Sequence, residues 1–144
     1  MALWRLYYHL VWGTKNRLPL IQAHYEDDLY NYIIGKSNHC GCIVHRVNGM
    51  PDHLHLIVSI LPKISVSEYV QKIKGSTSHY LTEKYFFPFQ WQKGYGVFSI
   101  SQKNLDQAIE YVKNQKIHHA NSTIISILED IKNEDDPPLK YFRN

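Results

Sequence analysis

The sequence predicts an α+β fold in which helices pack against one antiparallel β-sheet, and three observations support this prediction. Segments rich in aromatic and β-branched residues, typical of strands, alternate with segments whose apolar residues recur every three to four positions, as in helices. Their order along the chain is β-α-β-β-α-β, followed by one more helix. The 144 residues, 44% of them hydrophobic, suit one globular domain with its own core.

The first half of the chain predicts a strand, a helix and a hairpin. Residues 3–14 are rich in Tyr, Trp, Leu and Val, which favours a strand. Residues 22–38 carry apolar side chains at helical spacing and predict a helix. A second strand follows over 43–47, and the turn-forming residues at 48–52 predict a hairpin into a strand that starts at His53.

The second half predicts a helix, a strand and a terminal helix. Ser65 and Glu68 have the spacing of a capping box and mark the start of the second long helix. A fourth strand is predicted near residues 95–101. A third helix follows over about 103–119, and residues 120–144 predict a short helical tail.

The order of these elements is that of the ferredoxin-like unit, in which both crossover helices pack on one face of a four-stranded antiparallel sheet. The first and third strands then lie in the centre of the sheet. The face that the crossover helices leave open is available to the helix near the C-terminus. We therefore expect residues 1–144 to form one domain, with an additional C-terminal helix covering that second face.

Two histidines, His53 and His55, are the most informative residues of the chain. Leu54, Leu56 and Val58 alternate with them, so the period of two along a strand puts both histidines on the opposite face, about 6.5–7 Å apart. Two imidazoles that face the same space can hold one divalent metal ion. The alternative is the solvated face of an amphipathic strand, which needs no metal.

The helix predicted over 103–119 supplies a second set of polar groups. Tyr111, Gln115 and His118 are spaced i, i+4 and i+7, so they form a polar row, and the phenol and the carboxamide project together. The alternative is a solvated flank with a tyrosine at its edge. The row runs beside an apolar stripe that anchors the helix and consists of Leu105, Ala108, Ile109 and Val112.

The two sets of residues complement each other chemically. Two neutral imidazoles and one amide oxygen bind a metal ion while leaving coordination positions open, which suits Mg²⁺ or Mn²⁺ acting as a Lewis acid on a phosphate. A tyrosine can act as a covalent nucleophile, although its pKa near 10 makes it weak without assistance. A phosphotyrosine keeps roughly the energy of the bond that was broken, so a strand can be rejoined without a nucleotide cofactor.

These motifs together resemble the single-tyrosine HUH transposases of the smallest bacterial insertion sequences, the IS200-like transposases. Four matching segments occur in the family's order and spacing and span nearly the whole chain. The segments are HLVWGTKNR (9–17), GMPDHLHLIVSI (49–60), SVSEYVQKIKGSTS (65–78) and YVKNQKIHH (111–119).

The resemblance implies a role for each key residue. His53 and His55 match the metal-binding histidines, and Gln115 matches the third ligand. Tyr111 matches the nucleophile that takes the 5′ phosphate of a cleaved DNA strand. The resemblance further implies Mg²⁺ or Mn²⁺ as cofactor and single-stranded DNA with hairpins as substrate. It also implies a homodimer, in which the tyrosine helix can pair with the histidines of the partner subunit.

Other residues are candidates for contacts with DNA or for supporting roles. Asp52 is either a turn residue or the partner that orients a histidine, while His118 and His119 could bind DNA, assist proton transfer or cap a helix. Phe89 and Trp91 could stack on unpaired bases or pack in the core. Candidates for phosphate contacts, with ordinary solvated side chains as the alternative, are Lys15, Arg17, Lys72 and Lys74.

The overall composition limits the functional classes. A net charge of +3 and a pI near 8.8 permit a polyanionic partner without requiring one. No apolar run is long enough for a membrane span, and two cysteines are typical of a reduced, cytoplasmic protein. The alternative functions are a related HUH endonuclease, such as a replication initiator or a domesticated hairpin-processing transposase, and a non-catalytic nucleic-acid-binding module.

Overall fold

The structure, a computed structural model, describes residues 3–120 of the chain. Apart from Ala120, the tail predicted for residues 120–144 lies outside the described residues. The helices and strands are β1 (Tyr7–Gly13), α1 (Ala23–His39), β2 (Ile43–Met50), β3 (His53–Ser59), α2 (Val66–Tyr85), β4 (Gly96–Ile100), α3 (Leu105–Lys113) and α4 (Gln115–Ala120).

The four strands form one antiparallel sheet in the order β2-β3-β1-β4. β3 and β1 lie in the centre, as predicted, and the arrangement is the ferredoxin-like one. The register of β2 against β3 shifts between Val44 and Arg46, where β2 contains a β-bulge. The predicted fold class is therefore confirmed.

One face of the sheet forms the hydrophobic core with α1 and α2. Each fully buried aliphatic or aromatic side chain there contributes roughly 1.5–3 kcal/mol through removal from water. The strand residues of this core are Leu10, Trp12, Leu54, Leu56 and Val58, and the helix residues include Tyr25, Leu29, Ile33, Tyr69 and Ile73.

The start of α2 is fixed by the predicted capping box. Ser65 Oγ accepts a hydrogen bond from the backbone N–H of Glu68 at 3.1 Å, and the Glu68 carboxylate accepts one from the backbone N–H of Ser65. Further along, Asp28 of α1 accepts hydrogen bonds from Tyr80, Lys84 and Tyr85, which tie the two core helices together at the surface.

The other face of the sheet is covered by α3 and α4. Val112 is fully buried there, and Asn48 of β2 donates hydrogen bonds to the carbonyl oxygens of Val112 and Lys113, both at 3.1 Å. The prediction that the C-terminal helix covers the face opposite the crossover helices is therefore confirmed.

Three predicted boundaries were wrong. The first strand begins at Tyr7 rather than at residue 3. The hairpin between β2 and β3 is tighter than predicted, because β2 continues to Met50 and leaves only residues 51–52 as the turn. Gly49 belongs to the paired strand β2 and not to the turn. Glycine allows the close approach of the two strands, because a Cβ at this position would clash with the backbone oxygen of His53.

The third wrong boundary concerns the terminal helix, which is two helices and not one. α3 ends at Lys113, Asn114 lies outside both helices with φ −97° and ψ 22°, and α4 begins at Gln115. The carbonyl oxygens of Val112 and Lys113 would accept from N–H groups four residues later in a continuous helix. The Asn48 amide binds them instead, so the break has a partner on β2.

Candidate active site on the second face of the sheet

His53 and His55 project from β3 toward α3 and α4 and are both buried, with 1% and 0% of their surface exposed. Their ring centroids are 5.2 Å apart. The interpretation of these histidines as the solvated face of an amphipathic strand is therefore wrong. Buried imidazoles require polar partners, and those partners determine which ring nitrogen faces the site.

The partner of His53 is the neighbouring Asp52. His53 Nδ1 lies 2.7 Å from Asp52 Oδ1, which makes the ring nitrogen the donor to an ionised carboxylate. Arg17 lies 3.4 Å from the other carboxylate oxygen. Burial would raise the pKa of Asp52, but the hydrogen bond from His53 and the charge of Arg17 outweigh burial and hold that pKa below its usual range.

The partner of His55 is His9 on β1, a residue that the sequence reasoning missed. His9 Nε2 lies 2.8 Å from His55 Nδ1, and His9 is only 3% exposed. A histidine within an otherwise apolar strand was the available signal. The pairing of β1 with β3, which brings His9 beside His55, could not be read from local sequence.

Tyr111 of α3 and Gln115 of α4 lie beside the histidines on the same side of the sheet. The two side chains project together, as their i, i+4 spacing predicts, although the helix breaks between them. The Tyr111 ring centroid lies 6.0 Å from that of His55 and 6.3 Å from that of His9. Gln115 is fully buried, and its Nε2 lies 3.5 Å from His53 Nε2. All of these contacts form within one chain.

The two histidines of α4 border the same site. The His118 ring stacks on the Tyr111 ring, with centroids 4.5 Å apart and an interplanar angle of 22°. The His119 ring centroid lies 5.0 Å from that of His53. Both side chains are therefore next to the candidate catalytic groups rather than on a remote helix end.

The donor set is chemically suited to a divalent cation. Both histidines bind an outer partner through Nδ1, so Nε2 is the nitrogen that would face a metal ion. Neighbouring ligands of one octahedral ion lie about 3 Å apart, since each bond is about 2.1 Å, and the Gln115 amide is close to that distance from His53. The amide nitrogen and oxygen are interchangeable by a half-turn, so the oxygen can face the ion.

This donor set contains an amide in place of a third imidazole, thiolate or carboxylate. Among residues 3–120, no group of three His, Cys, Asp or Glu side chains is arranged to hold a metal ion. The candidate ligands therefore number two imidazoles and one amide oxygen. Such a set leaves coordination positions for water or for a phosphate oxygen.

The basic residues singled out from the sequence lie in different surroundings. Lys15 and Lys72 are exposed, whereas Arg17 is engaged with Asp52. Lys74 is half-buried and donates hydrogen bonds to the carbonyl oxygens of Gln92 and Gly94, and burial lowers its pKa to about 8. Lys74 thus holds a loop in place, a role that the sequence pattern did not indicate.

A groove of about 730 Å³ lies between α2 and the loop that precedes β4. Lys15, Lys74 and Lys93 line it, and no carboxylate occurs among its described lining residues. Trp91 also lines the groove, while its Nε1 donates to Thr77 and its ring contacts Trp12 and Phe89. Phe89 itself is a core residue with 2% exposure.

Comparisons with known proteins identify the class of this chain as a transposase, an enzyme that moves DNA. The family model described as "Transposase IS200 like" matches residues 2–115. The chain therefore belongs to the IS200-like transposase family.

Two characterised relatives are similar over most of the chain. The ISDra2 transposase TnpA of Deinococcus radiodurans is 26% identical over an alignment of 119 residues, and the match covers 78% of this chain and 85% of the relative. The transposase for insertion sequence element IS200 of Salmonella typhimurium is 28% identical over an alignment of 119 residues, and the match covers 78% of each protein.

Two solved structures share the fold. A crystal structure of a putative transposase from Deinococcus radiodurans aligns with a TM-score of 0.61 at 24% identity, over 79% of this chain and 93% of that one. The REP-associated tyrosine transposase bound to a REP hairpin aligns with a TM-score of 0.63 at 17% identity, over 83% and 74%. Within residues 3–120, the search for helices long and apolar enough to cross a lipid bilayer found none.

Proposed function

We propose that this transposase cuts and rejoins single-stranded DNA through a covalent bond between Tyr111 and a 5′ phosphate, with a divalent metal ion held by His53, His55 and Gln115. The observation that carries the proposal is the convergence of a phenol, a buried amide and two buried imidazoles on one sheet face. A metal ion bound there would act as a Lewis acid on the scissile phosphate.

Tyr111 forms the covalent bond in the proposed reaction, while other side chains orient the metal-binding histidines. Tyr111 gives up its phenolic proton and its oxygen bonds to phosphorus, while the bond to the 3′ oxygen breaks and that oxygen takes up a proton. Rejoining reverses the step, with a 3′-OH attacking the phosphotyrosine. Asp52 and His9 hold the rings of His53 and His55 in place, so the site is oriented before DNA binds.

We propose His118 as the group that assists Tyr111, because its ring lies against the phenol ring. A phenol with an ordinary pKa near 10 is a weak nucleophile at neutral pH. A histidine beside it can take up the proton or stabilise the phenolate. The His119 ring lies 5.0 Å from that of His53, so it borders the proposed metal position.

The groove beside α2 is the proposed path for part of the DNA. Lys15 lines this groove and is two residues from Arg17, which adjoins His53, so the segment Lys15–Arg17 connects the groove with the site. The lysines supply positive charge, and Lys72 adds an exposed cation on α2. One relative of the same fold was solved with a hairpin, which supports hairpin DNA as the substrate class.

A homodimer is part of the proposal, as the family resemblance implies. The contacts of Tyr111 and Gln115 with the histidines occur within one chain, so we propose that each subunit can assemble its own site. A dimer that exchanges these helices would place the same four residues together from two subunits.

The central test is covalent capture of DNA. Single-stranded DNA from the flanks of the protein's own gene is incubated with the protein and Mg²⁺ or Mn²⁺, and a denaturing gel is examined for a protein–DNA adduct. Tyr111→Phe should abolish the adduct while DNA binding, measured by fluorescence anisotropy, stays close to wild type. Tyr32→Phe is the matched control, since Tyr32 stacks on Tyr80.

Three results would count against the proposal. An adduct that persists in Tyr111→Phe would exclude this tyrosine as the nucleophile. Cleavage that is unchanged in His53→Ala or in the presence of a chelator would exclude the metal site. DNA binding without any adduct in the wild type, with both ions and both flanks tested, would instead favour a non-catalytic nucleic-acid-binding protein.

A further inference from the structure

His9 belongs to the site, but the sequence motifs give it no role and the proposed chemistry gives it only that of holding the His55 ring. It lies on β1, which is antiparallel to β3, with His9 opposite Ile57 and Val11 opposite His55. His9 is therefore the diagonal neighbour of His55 on the same face of the sheet. Its side chain is 97% removed from solvent, and its ring also contacts Phe98 of β4.

The contact between His9 and His55 has a clear counterpart in the same site. His53 is held through Nδ1 by Asp52 at 2.7 Å, and His55 is held through Nδ1 by His9 at 2.8 Å. Each of the two histidines thus has a separate partner at Nδ1, the ring nitrogen that points away from the proposed metal position. Such outer partners fix the tautomer and ring orientation of metal-binding histidines.

The direction of the His9–His55 hydrogen bond decides whether His55 can bind a metal ion. A neutral imidazole carries one N–H, and its other nitrogen is an acceptor. If His55 donates from Nδ1, its Nε2 has a lone pair for the metal ion. If His9 donates from Nε2, the proton of His55 must sit on its own Nε2, and that nitrogen cannot be a ligand.

We propose that His9 is a positioning residue that accepts the hydrogen bond from His55 Nδ1–H and so presents His55 Nε2 to the metal ion. This inference rests on the proposed function. His9 is a neutral acceptor, unlike the Asp52 carboxylate, so its effect is on the orientation and tautomer of His55 rather than on the charge of the site.

The first test measures the tautomer directly and needs no metal. Long-range ¹H–¹⁵N NMR spectra of the protein distinguish a histidine protonated on Nδ1 from one protonated on Nε2. We expect His55 on Nδ1 in the wild type and a mixture of both forms in His9→Leu. A wild-type His55 protonated on Nε2, or a tautomer that is identical in His9→Leu, would overturn the inference.

The second test measures metal affinity by calorimetric titration with Mn²⁺ in the absence of DNA. His9→Leu should weaken binding about 10–100-fold, the usual effect of removing an outer partner. His9→Gln should recover most of the affinity, because the glutamine amide oxygen can accept the same hydrogen bond from His55 Nδ1–H. His45→Leu is the matched control, since His45 also bonds a side chain on this sheet, Ser59, at 2.8 Å.

The outcomes separate this inference from the proposed function. If the wild type binds Mn²⁺ and His53→Ala does not, but His9→Leu binds like the wild type, the role of His9 is rejected while the metal site stands. If the wild type and His53→Ala bind equally weakly, the metal site itself fails, and the inference fails with it. Circular dichroism of each variant excludes loss of fold, and failure of His9→Gln to recover affinity in a folded protein also counts against the role.

Discussion

The two faces of the sheet have opposite chemistry, although the same strands build both. In β3, Leu54, Leu56 and Val58 pack into the core beneath α1 and α2, whereas His53 and His55 face α3 and α4. Both faces are buried. The core face is held by non-directional apolar contacts, whereas the second face combines apolar contacts, such as those of Val112, with hydrogen bonds between specific pairs of side chains.

This difference separates the residues that stabilise the fold from those that prepare the site. A buried polar group is tolerated when it is paired and becomes costly when its partner is removed. On the second face the pairs are His53 with Asp52 and His55 with His9. We therefore expect substitutions on the two faces to affect different measurements.

The largest effect on activity is expected for His55→Leu, which should reduce DNA cleavage to background. Stability should fall by about 1–3 kcal/mol, because His9 loses its buried partner. The double variant His9→Leu/His55→Leu should remain inactive but recover most of that stability, since both members of the pair become apolar. Urea unfolding and the adduct assay on the same samples test this. A double variant less stable than His55→Leu alone would contradict the comparison.

On the opposite face, Leu56→Ala should lower the free energy of unfolding by about 2–5 kcal/mol, because it leaves a cavity at a fully buried position. Mn²⁺ affinity of the folded fraction should stay within a few-fold of wild type. Chemical denaturation and calorimetric titration measure the two quantities. A loss of metal affinity without a loss of stability would show that the faces are not independent.

A smaller effect is expected where β2 and β3 approach each other closely. Gly49→Ala should destabilise by about 1–3 kcal/mol, because its Cβ would clash with the His53 backbone oxygen and separate the strands. The matched control is Gly35→Ala in α1, where a Cβ meets nothing within 4 Å. That change should stabilise by about 0.5–1 kcal/mol. Equal effects of the two substitutions would refute the steric explanation.

The smallest effect is expected at the surface link between α1 and α2. Hydrogen bonds from Lys84 and Tyr85 hold the pKa of Asp28 below its usual range. Because the folded-state pKa is lowered, the stabilisation is present above the unfolded pKa near 3.9 and is lost as the pH falls through the folded value. Asp28→Asn should therefore be slightly less stable than wild type at pH 7, with a smaller difference at pH 3. Thermal unfolding at both pH values measures this, and a difference that grows in acid would contradict it.

Much of the fold could be predicted because its signals are local. The capping box at Ser65 and Glu68 predicts where α2 starts, and the alternation in β3 predicts which face each side chain occupies. The order of elements then limits the topology to the ferredoxin-like sheet. The proximity of Tyr111 and Gln115 also follows locally, because residues four apart remain neighbours across the break at Asn114.

The remaining features depend on contacts between distant parts of the chain. The break at Asn114 is accompanied by hydrogen bonds from Asn48, which is 64 residues away from Val112. The pairing of His9 with His55 spans 46 residues and requires the β1–β3 register. Gly49 and Asn48 resemble turn residues by type, and only the partner strand and α3 reveal why they occur within β2.

The β-bulge in β2 has a consequence for which variants of this chain can function. Val44 and Val47 both face the core although they are three positions apart, because the bulge adds one residue between them. The alternation of side chains after the bulge then places Asn48 on the opposite face, toward α3. Deleting one residue between Val44 and Val47 would remove the bulge and leave a regular strand, in which the two valines, then two positions apart, still face the core and Asn48 still faces α3. Loss of one residue at the bulge is therefore compatible with both faces of the sheet. Loss of one residue within the regular pairing of β1 with β3 would turn the side chains beyond it to the wrong face, so the position of a deletion distinguishes degenerate copies of such a gene from working ones.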